Sequence, residues 1–288
     1  MSRNSDRLGS QFTSDTAEPQ QLAQNTESGD FSFIIPTEIV DLPSRGAFYP
    51  VGHPLHGRDS IEIKQMTAKE EDMLTSRSLL KKGVALDRVL SSIITDKSIN
   101  ADSLLVGDRN ALIIAARISA YGNDYNTKVT CPSCATAQEY SFDLNKASVY
   151  SGDDLADEGI DTTPTGNGTF VTRLPRTGLE ITFKIMTGAD EKSLLEGVEL
   201  DRKNKRTHEK NITRLLVNMI VAVNGNTTSE AVNYVVQNIP SVDVRHLRNA
   251  YKAASPNVDL TQHFECSECD YESELEVPLT ADFFWPNT

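Results

Sequence analysis

The chain contains no apolar run long enough to cross a membrane. The most apolar stretch, Leu215–Val223, is interrupted by Asn218 and is far shorter than the roughly 20 residues that span a bilayer. The N-terminus also lacks the apolar core of a secretory signal. We therefore expect no membrane span and a protein that stays in a reducing cytoplasm.

Positive charge is scarce as well. The 288 residues include 28 Lys and Arg but 41 Asp and Glu, for a formal net charge of −13. Nucleic-acid binding relies on clustered Lys and Arg that neutralise phosphates. The basic residues around Arg202–Lys210 instead read as a solvated insertion in a loop. This balance argues against nucleic acid as a partner.

Signatures of catalysis are missing too. Gly166-Asn-Gly168 lies outside any strand-to-helix turn that could hold a phosphate. No Ser or Cys stands in a nucleophile elbow beside a general base. His53 and His56 have a spacing that could chelate a metal, but Gly52 and Pro54 indicate a loop with two exposed histidines. We expect no enzymatic activity and no small-molecule substrate.

Cysteine is also sparse, yet its arrangement is the most informative pattern in the chain. The four cysteines form two pairs, Cys131-Pro-Ser-Cys134 and Cys266-Ser-Glu-Cys269. Each Cys-x-x-Cys turn presents two thiolates, and two such turns complete a closed tetrahedral zinc site without catalytic function. We expect one structural Zn²⁺ held by Cys131, Cys134, Cys266 and Cys269. Two separate sites, each completed by a histidine such as His263 or by water, are the alternative.

The two cysteine pairs belong to a longer internal repeat. Positions around the first pair match positions 135 residues later: Cys131 and Cys266, Phe142 and Val277, Leu144 and Leu279. Asp108 and Asp243, each at the start of a helical pattern, share this offset. Met66-Thr67 corresponds to Met186-Thr187, and Leu42-Pro43 echoes Leu174-Pro175. A repeat of this length predicts two similar lobes rather than a solenoid.

Each repeat predicts the same order of elements. A strand, Ile61–Lys64 or Leu179–Phe183, runs into a Met-Thr pair whose threonine caps a helix. Periodic apolar positions then predict further helices: Leu86–Ile94 and Arg109–Tyr121 in the first repeat, and Asn211–Val223, Ser229–Asn238 and Val244–Ala254 in the second. Gly122 is the expected C-cap of the helix before the first cysteine pair.

These patterns predict an α+β fold in two duplicated lobes. Each lobe has short strands and helices and ends in a Cys-x-x-Cys β-hairpin, and a zinc-ribbon-like four-cysteine site joins the lobes. Residues 1–30 are polar and predict a disordered arm. Residues 31–147 form the first lobe, 148–169 an acidic linker and 170–288 the second lobe.

The first repeat resembles a known family over roughly residues 35–145. The residues that carry the resemblance are Val40-Asp-Leu-Pro-Ser-Arg-Gly46-Ala-Phe-Tyr-Pro50, Ile61-Glu-Ile-Lys-Gln-Met-Thr-Ala-Lys-Glu-Glu71, Asp108-Arg-Asn110 and the Cys131/Cys134 turn. They are similar to the baseplate proteins of T-even-like contractile-tail bacteriophages. The resemblance implies a component or assembly factor of the hub at the centre of the baseplate, and it supplies no catalytic residues.

We therefore expect a protein that binds other baseplate and hub subunits, in the host cytoplasm during assembly and in the virion tail if it is retained. The apolar segment Phe31–Pro36 and the Leu42–Tyr49 turn are the expected contact elements, although Phe31–Pro36 could instead pack as an edge strand. The alternative function is a zinc-stabilised binding adaptor, with nucleic acid as one candidate partner.

Overall fold

The structure is a computed structural model that describes residues 34–81, 83–152, 161–203, 210–277 and 281–284. The predicted arm, residues 1–30, lies outside this range, as do the first three residues of Phe31–Pro36. The described parts combine helices and strands, so the α+β prediction is confirmed.

The described helices follow the predicted order, with the addition of α2, which was not predicted. They are α1 (Ala68–Thr75), α2 (Arg77–Lys81), α3 (Ala85–Ile93), α4 (Val106–Tyr121), α5 (Gly188–Lys203), α6 (Asn211–Met219), α7 (Ser229–Asn238) and α8 (Ser241–Ala254). Short 3₁₀ turns occupy Ala101–Ser103, Leu144–Lys146 and Ala281–Phe284. Helix α4 ends at Gly122, whose φ of 81° is in the left-handed region that glycine adopts without strain, as predicted.

The strands between them are short. They are β1 (Thr37–Asp41), β2 (Ser60–Lys64), β3 (Asp124–Thr130), β4 (Ala137–Asp143), β5 (Ser148–Tyr150), β6 (Thr162–Pro164), β7 (Thr169–Arg173), β8 (Glu180–Lys184), β9 (Ile220–Val223), β10 (Asn257–Asp259), β11 (Thr261–Glu265) and β12 (Glu272–Glu276). All the pairings are antiparallel. Strands β6 to β9 form a four-stranded sheet, and the others pair as β1 with β2, β3 with β4, β11 with β12, and β5 with β10.

The Met-Thr helix starts are closely similar. At α1, the Glu70 carboxylate accepts hydrogen bonds from the Thr67 N–H at 2.9 Å and from the Thr67 hydroxyl at 2.6 Å. At α5, Asp190 accepts from the Thr187 N–H at 3.0 Å and from the Thr187 hydroxyl at 2.9 Å. The bonds from the two N–H groups satisfy backbone donors that the helix itself leaves unpaired, so both predicted caps are present.

One predicted helix is wrong in its second half. The pattern over Asn211–Val223 predicted a single helix, but α6 ends at Met219 and Ile220–Val223 is strand β9. Ile181 pairs with Val223 and Phe183 with Ile220 across β8 and β9. The sequence Ile-Val-Ala-Val has a strong strand preference, and a neighbouring strand to pair with decided the outcome.

The Leu42–Tyr49 turn, expected as a contact element, is partly buried. Leu42 and Tyr49 are each only 2% exposed, and Ser44 is equally buried, whereas Arg45 and Ala47 are exposed. The buried side packs against the first turn of α4 through Asp108, and a contact role for the turn stays a prediction. Farther upstream, Ile34 is 82% exposed and does not belong to a strand.

The segment predicted as a linker, residues 148–169, is described only at its two ends. Both ends form strands: β5 pairs with β10, and β6 pairs with β7. Residues 153–160 lie outside the described range. Strand β5 depends on a partner far along the chain, which local composition does not reveal, whereas β6 pairs with the strand that directly follows it.

The two halves of the chain share one hydrophobic core. The cluster of buried apolar side chains runs from Val40 through Leu112 and Phe142 to Phe183 and Leu247. Backbone hydrogen bonds also join the halves, since Val106 N–H donates to the Met186 carbonyl at 3.1 Å and Gly188 N–H to the Leu104 carbonyl at 2.8 Å.

The segments that follow the two cysteine turns cross over between the halves. Strand β5, after the first turn, pairs with β10, which precedes the second. In the other direction, Phe283, after the second turn, accepts a 2.7 Å hydrogen bond at its carbonyl from the buried Arg117 in α4 and stacks edge-on against Tyr125. Each half therefore receives a segment from the other.

Candidate metal centre

The first cysteine pair lies in the turn between β3 and β4. Cys131 N–H donates to the Thr136 carbonyl at 2.9 Å, and Ala135 N–H donates to the Cys131 carbonyl at 2.9 Å. Ala135 adopts a positive φ of 59°, which closes the turn tightly. This conformation leaves Cys131 buried and Cys134 exposed.

The second pair repeats this geometry between β11 and β12. Cys266 N–H donates to the Tyr271 carbonyl at 2.9 Å, and Asp270 N–H donates to the Cys266 carbonyl at 3.1 Å. Asp270 has a φ of 52°, close to that of Ala135. Cys266 is buried and Cys269 is exposed. The four observations match those of the first turn at an offset of 135 residues.

The two turns bring all four sulfurs together. The Sγ atoms lie within 4.8 Å of one another. Two contacts cross between the hairpins: 3.8 Å from Cys131 to Cys269 and 3.7 Å from Cys134 to Cys266. These distances are far longer than the roughly 2.05 Å of a disulfide bond. The cluster can therefore hold a metal ion through four thiolates, and the structure brings together all the predicted ligands.

Hydrogen bonds between the hairpins keep the sulfurs apposed. Gln138 in β4 donates to the Glu265 carbonyl at 3.2 Å and accepts from the Ser267 N–H at 3.1 Å. The Tyr140 hydroxyl donates to the His263 carbonyl at 2.8 Å. None of these bonds involves a sulfur atom, so the hairpins are aligned by contacts other than the cluster itself.

The opposite ends of the hairpins are also joined. The Gln262 side chain accepts from the Asp143 N–H at 3.1 Å and donates to the Asp143 carbonyl at 2.9 Å. Tyr140 packs between Phe142 and Phe264 with ring centroids 5.0 and 5.2 Å apart. Phe142 and Phe264 are almost fully buried. Aromatic packing and hydrogen bonding therefore hold the hairpins together at the ends opposite the cysteine turns.

The thiols differ in acidity when no metal is bound. Hydrogen bonds from the side chain and backbone of Thr136 lower the pKa of Cys134 to about 6. A hydrogen bond from the Tyr271 backbone favours the Cys269 thiolate, but desolvation and hydrogen bonds with the other three thiols raise the pKa of Cys269 to about 12. A metal bound by four thiolates must displace any proton that these thiols carry.

The histidines considered from the sequence have other roles. His53 Nε2 lies 2.9 Å from the Ser103 hydroxyl, and His56 Nδ1 lies 2.6 Å from the Tyr49 carbonyl. His263 faces Glu274, 3.9 Å away. Within the described ranges, no other group of three or more His, Cys, Asp or Glu side chains converges as the four cysteines do.

Two buried aspartates were identified from the sequence only as helix starts, and their contacts were missed. Asp108 accepts from the N–H and hydroxyl of Ser44 at 2.9 and 2.6 Å and from the Tyr49 hydroxyl at 2.8 Å. Asp243 accepts from the N–H groups of Arg176 and Thr177 at 2.8 and 3.0 Å. Each aspartate fixes the turn after a Leu-Pro pair. The offset of 135 residues between the two aspartates was the sequence signal that could have indicated their equivalent contacts.

The fold and the site define a class: an α+β protein whose two cysteine hairpins meet at one four-sulfur cluster. A family model described as T4 bacteriophage base plate protein matches residues 36–285. The chain therefore belongs to this family, which implies a component of a phage tail that contacts other phage structural proteins. Comparison with curated proteins and with solved structures gives no match. Of the described helices, none is both long and apolar enough for a membrane span.

Proposed function

We propose that this protein is a structural or assembly component of the baseplate hub and acts by binding other hub subunits. The observation that supports this proposal most strongly is the family match over residues 36–285, which includes both cysteine hairpins. The acidic chain, with its net charge of −13, suits a protein partner better than a nucleic acid.

The same proposal includes one structural zinc ion bound by Cys131, Cys134, Cys266 and Cys269. A tetrahedron of sulfurs at roughly 2.3 Å from zinc has edges of roughly 3.8 Å. The two cross-hairpin distances of 3.8 and 3.7 Å are close to that edge. Four protein ligands leave no open coordination position for chemistry, so the ion would connect the hairpins and not catalyse a reaction.

We also infer that the chain is an internal duplication whose two copies meet about a pseudo-twofold axis near the metal. The division into an arm (1–30), a first lobe (31–147), a linker (148–169) and a second lobe (170–288) is part of this proposal. The matched cysteine turns, the matched aspartates and the reciprocal exchange of β5 and Phe283 support it. Superposition of the two halves in a crystal structure of the metal-loaded protein tests it, and a superposition that does not overlay the hairpins would contradict it.

The function is tested by co-purification. A tagged full-length chain, expressed with the other baseplate proteins of its phage, is expected to recover hub subunits at moderate salt. The same preparation is expected to pass through a heparin column without retention. Strong heparin retention without any hub subunit would instead favour the nucleic-acid adaptor.

The metal is tested separately by elemental analysis. Protein purified under reducing conditions without chelators is expected to contain about one zinc per chain. About two zinc ions per chain would support separate sites at the two hairpins. A metal content near zero would overturn the zinc proposal without affecting the co-purification result.

A further inference from the structure

We propose that the four-cysteine cluster is a redox-dependent joint. In the reduced protein the metal connects the hairpins, and under oxidation two disulfides that cross between the hairpins, Cys131–Cys269 and Cys134–Cys266, replace it. The reduced half of this proposal rests on the zinc site proposed above.

Proximity sets this pairing, and exposure sets which sulfur of each pair reacts first. Cys134 and Cys269 are exposed, while Cys131 and Cys266 are buried. Each of the two cross-hairpin contacts joins one exposed sulfur to one buried sulfur, at 3.7 Å for Cys134 with Cys266 and 3.8 Å for Cys131 with Cys269. An oxidant reaches the exposed sulfur first, and a buried thiolate of the other hairpin is already within reach to resolve it.

The surrounding contacts keep the two hairpins adjacent when the metal leaves, even where the turns themselves loosen. The hydrogen bonds of Gln138, Tyr140 and Gln262 join the two hairpins without involving any sulfur. Disulfide formation needs each sulfur pair to approach by roughly 1.7 Å, to a bond of roughly 2.05 Å. The two turns lie at hairpin ends, where side-chain rotation and a small turn movement can supply this approach.

The chemistry balances with a peroxide as the oxidant. The Cys134 thiolate attacks one peroxide oxygen, the O–O bond breaks, and Cys134 becomes a sulfenic acid while hydroxide leaves. The Cys266 thiolate then attacks the Cys134 sulfur, forming the S–S bond and releasing the second hydroxide. Two protons convert these hydroxides to water. A second peroxide oxidises Cys269 and Cys131 in the same way, and Zn²⁺ leaves without changing its oxidation state.

The consequence is that the hairpins remain joined in both chemical environments. A reducing compartment favours thiolates and metal, whereas an oxidising medium favours disulfides. Either form ties β3 and β4 to β11 and β12. A tail component that is assembled inside a cell and then released would meet both conditions.

The test begins with zinc-loaded full-length protein titrated with hydrogen peroxide. A chromogenic chelator reports zinc release, and non-reducing tryptic mapping reports the disulfides. Cleavage after Lys128, Lys146 and Lys252 places the first cysteine pair in residues 129–146 and the second in residues 253–288. We expect these two peptides to become linked while about one zinc per chain is released by about two peroxides.

Paired variants resolve the connectivity. Cys131→Ser with Cys269→Ser retains Cys134 and Cys266, one on each hairpin. The matched control, Cys131→Ser with Cys134→Ser, retains Cys266 and Cys269 on a single hairpin. In the metal-free state we expect the first variant to form its disulfide at least about tenfold faster, because its two sulfurs start in contact.

The outcomes separate this proposal from the zinc site. Unlinked peptides carrying disulfides within each hairpin, or sulfinic acids, would refute the redox joint and leave the zinc site intact. Faster oxidation of the control variant would also refute the pairing. A preparation that holds no zinc before oxidation refutes both proposals together.

Discussion

Two buried aspartates fix equivalent turns in the two halves of the chain. Asp108 is fully buried, and burial raises the pKa of its carboxyl even though Ser44 and Tyr49 donate hydrogen bonds to it. The Tyr49 hydroxyl also accepts from the Leu105 N–H at 3.1 Å, so one network joins the turn to the start of α4. A buried carboxyl with several donors is costly to remove, because each donor then lacks a partner.

Replacing Asp108 with alanine is expected to destabilise the protein strongly. The donors on Ser44 and Tyr49 lose their acceptor, at about 1–3 kcal/mol for each buried group left unpaired. Urea denaturation is expected to show a loss of at least about 3 kcal/mol in the free energy of unfolding. Asp72→Ala, on an exposed face of α1, is the control and is expected to change stability by less than about 0.5 kcal/mol. Equal losses in the two variants would contradict this role for Asp108.

Glu70 predicts a pH dependence of stability. Desolvation alone would raise the pKa of Glu70, but hydrogen bonds from Ser92 and Thr67, and Lys64 nearby, lower it to about 2. A carboxyl whose folded pKa is depressed stabilises the protein above its ordinary pKa of about 4.5, and that stabilisation is lost as the pH falls toward 2. At about 1.4 kcal/mol per pH unit, the full contribution is about 3 kcal/mol.

The measurement compares wild type with Glu70→Gln in urea between pH 7 and pH 3. Wild type is expected to be the more stable protein above pH 4.5, and the gap is expected to narrow as the pH falls. Asp72→Asn, which changes an exposed carboxyl on the same helix, serves as the control. A gap that stays constant across this range would show that Glu70 ionisation does not contribute.

At the scale of elements, the cysteine hairpins are the parts that depend most on the cluster. Each is a two-stranded sheet, β3 with β4 and β11 with β12, and an isolated pair of strands is marginally stable at best. The halves of the chain, by contrast, have further connections. Arg109 bridges Asp87 and Glu191 at 2.8 Å each, and Arg117 holds Phe283.

Metal removal is therefore expected to loosen the hairpins locally and not to separate the halves. Hydrogen exchange after chelation should show lost protection over residues 124–143 and 261–276, while β7 and β8 keep theirs. Cys134→Ser and Cys269→Ser are expected to act alike, because both remove one ligand from a shared ion. Ser133→Ala, at the tip of the first turn, is the control. Loosening of only one hairpin would contradict a shared site.

At the scale of the whole molecule, the two halves approach so closely that glycine is required at their junction. A Cβ at Gly107 in α4 would overlap the carbonyl of Pro256, just before β10. A Cβ at Gly152, which has a φ of 79°, would lie 2.8 Å from the Ala254 carbonyl. Both obstacles are backbone atoms, which cannot rotate away.

Gly107→Ala is expected to destabilise the protein by about 1–3 kcal/mol through overpacking. In an open helical position the same change would stabilise the protein by up to about 1 kcal/mol. A loss of stability therefore shows that the two halves are closely packed at Gly107. Gly188→Ala is the matched control: it lies at the start of α5, and its nearest atoms would be 3.4–3.5 Å away. Thermal denaturation distinguishes the two, and a Gly107→Ala protein as stable as wild type would mean that the halves are not packed this closely.

Much of the local structure could be predicted because it depends on local patterns. Helix α7 has the predicted bounds, α3 lies within one residue of them, and the caps at Thr67, Thr187 and Gly122 are present. Capping residues and apolar periodicity act within a few residues of each other, so a single sequence records them. The family was also recognisable, since short motifs in the first repeat carry it.

Long-range contacts account for what could not be predicted. Ile220–Val223 forms a strand because β8 lies beside it. Part of the Leu42–Tyr49 turn is buried because Asp108 accepts hydrogen bonds from it. Strand pairing and burial depend on residues 37 to 64 positions away in these cases, and no local pattern encodes them.

The sequence by itself determined which four thiols could hold a metal, since the four cysteines occur in two Cys-x-x-Cys turns with a repeated flanking pattern. Only the tertiary structure decided how those turns meet. It placed each exposed sulfur against a buried sulfur of the other hairpin, and it fused the two repeats through β5, β10 and Phe283. The physical reason is that ligand chemistry belongs to individual residues, whereas the position of one turn relative to another is set by the packing of the whole core.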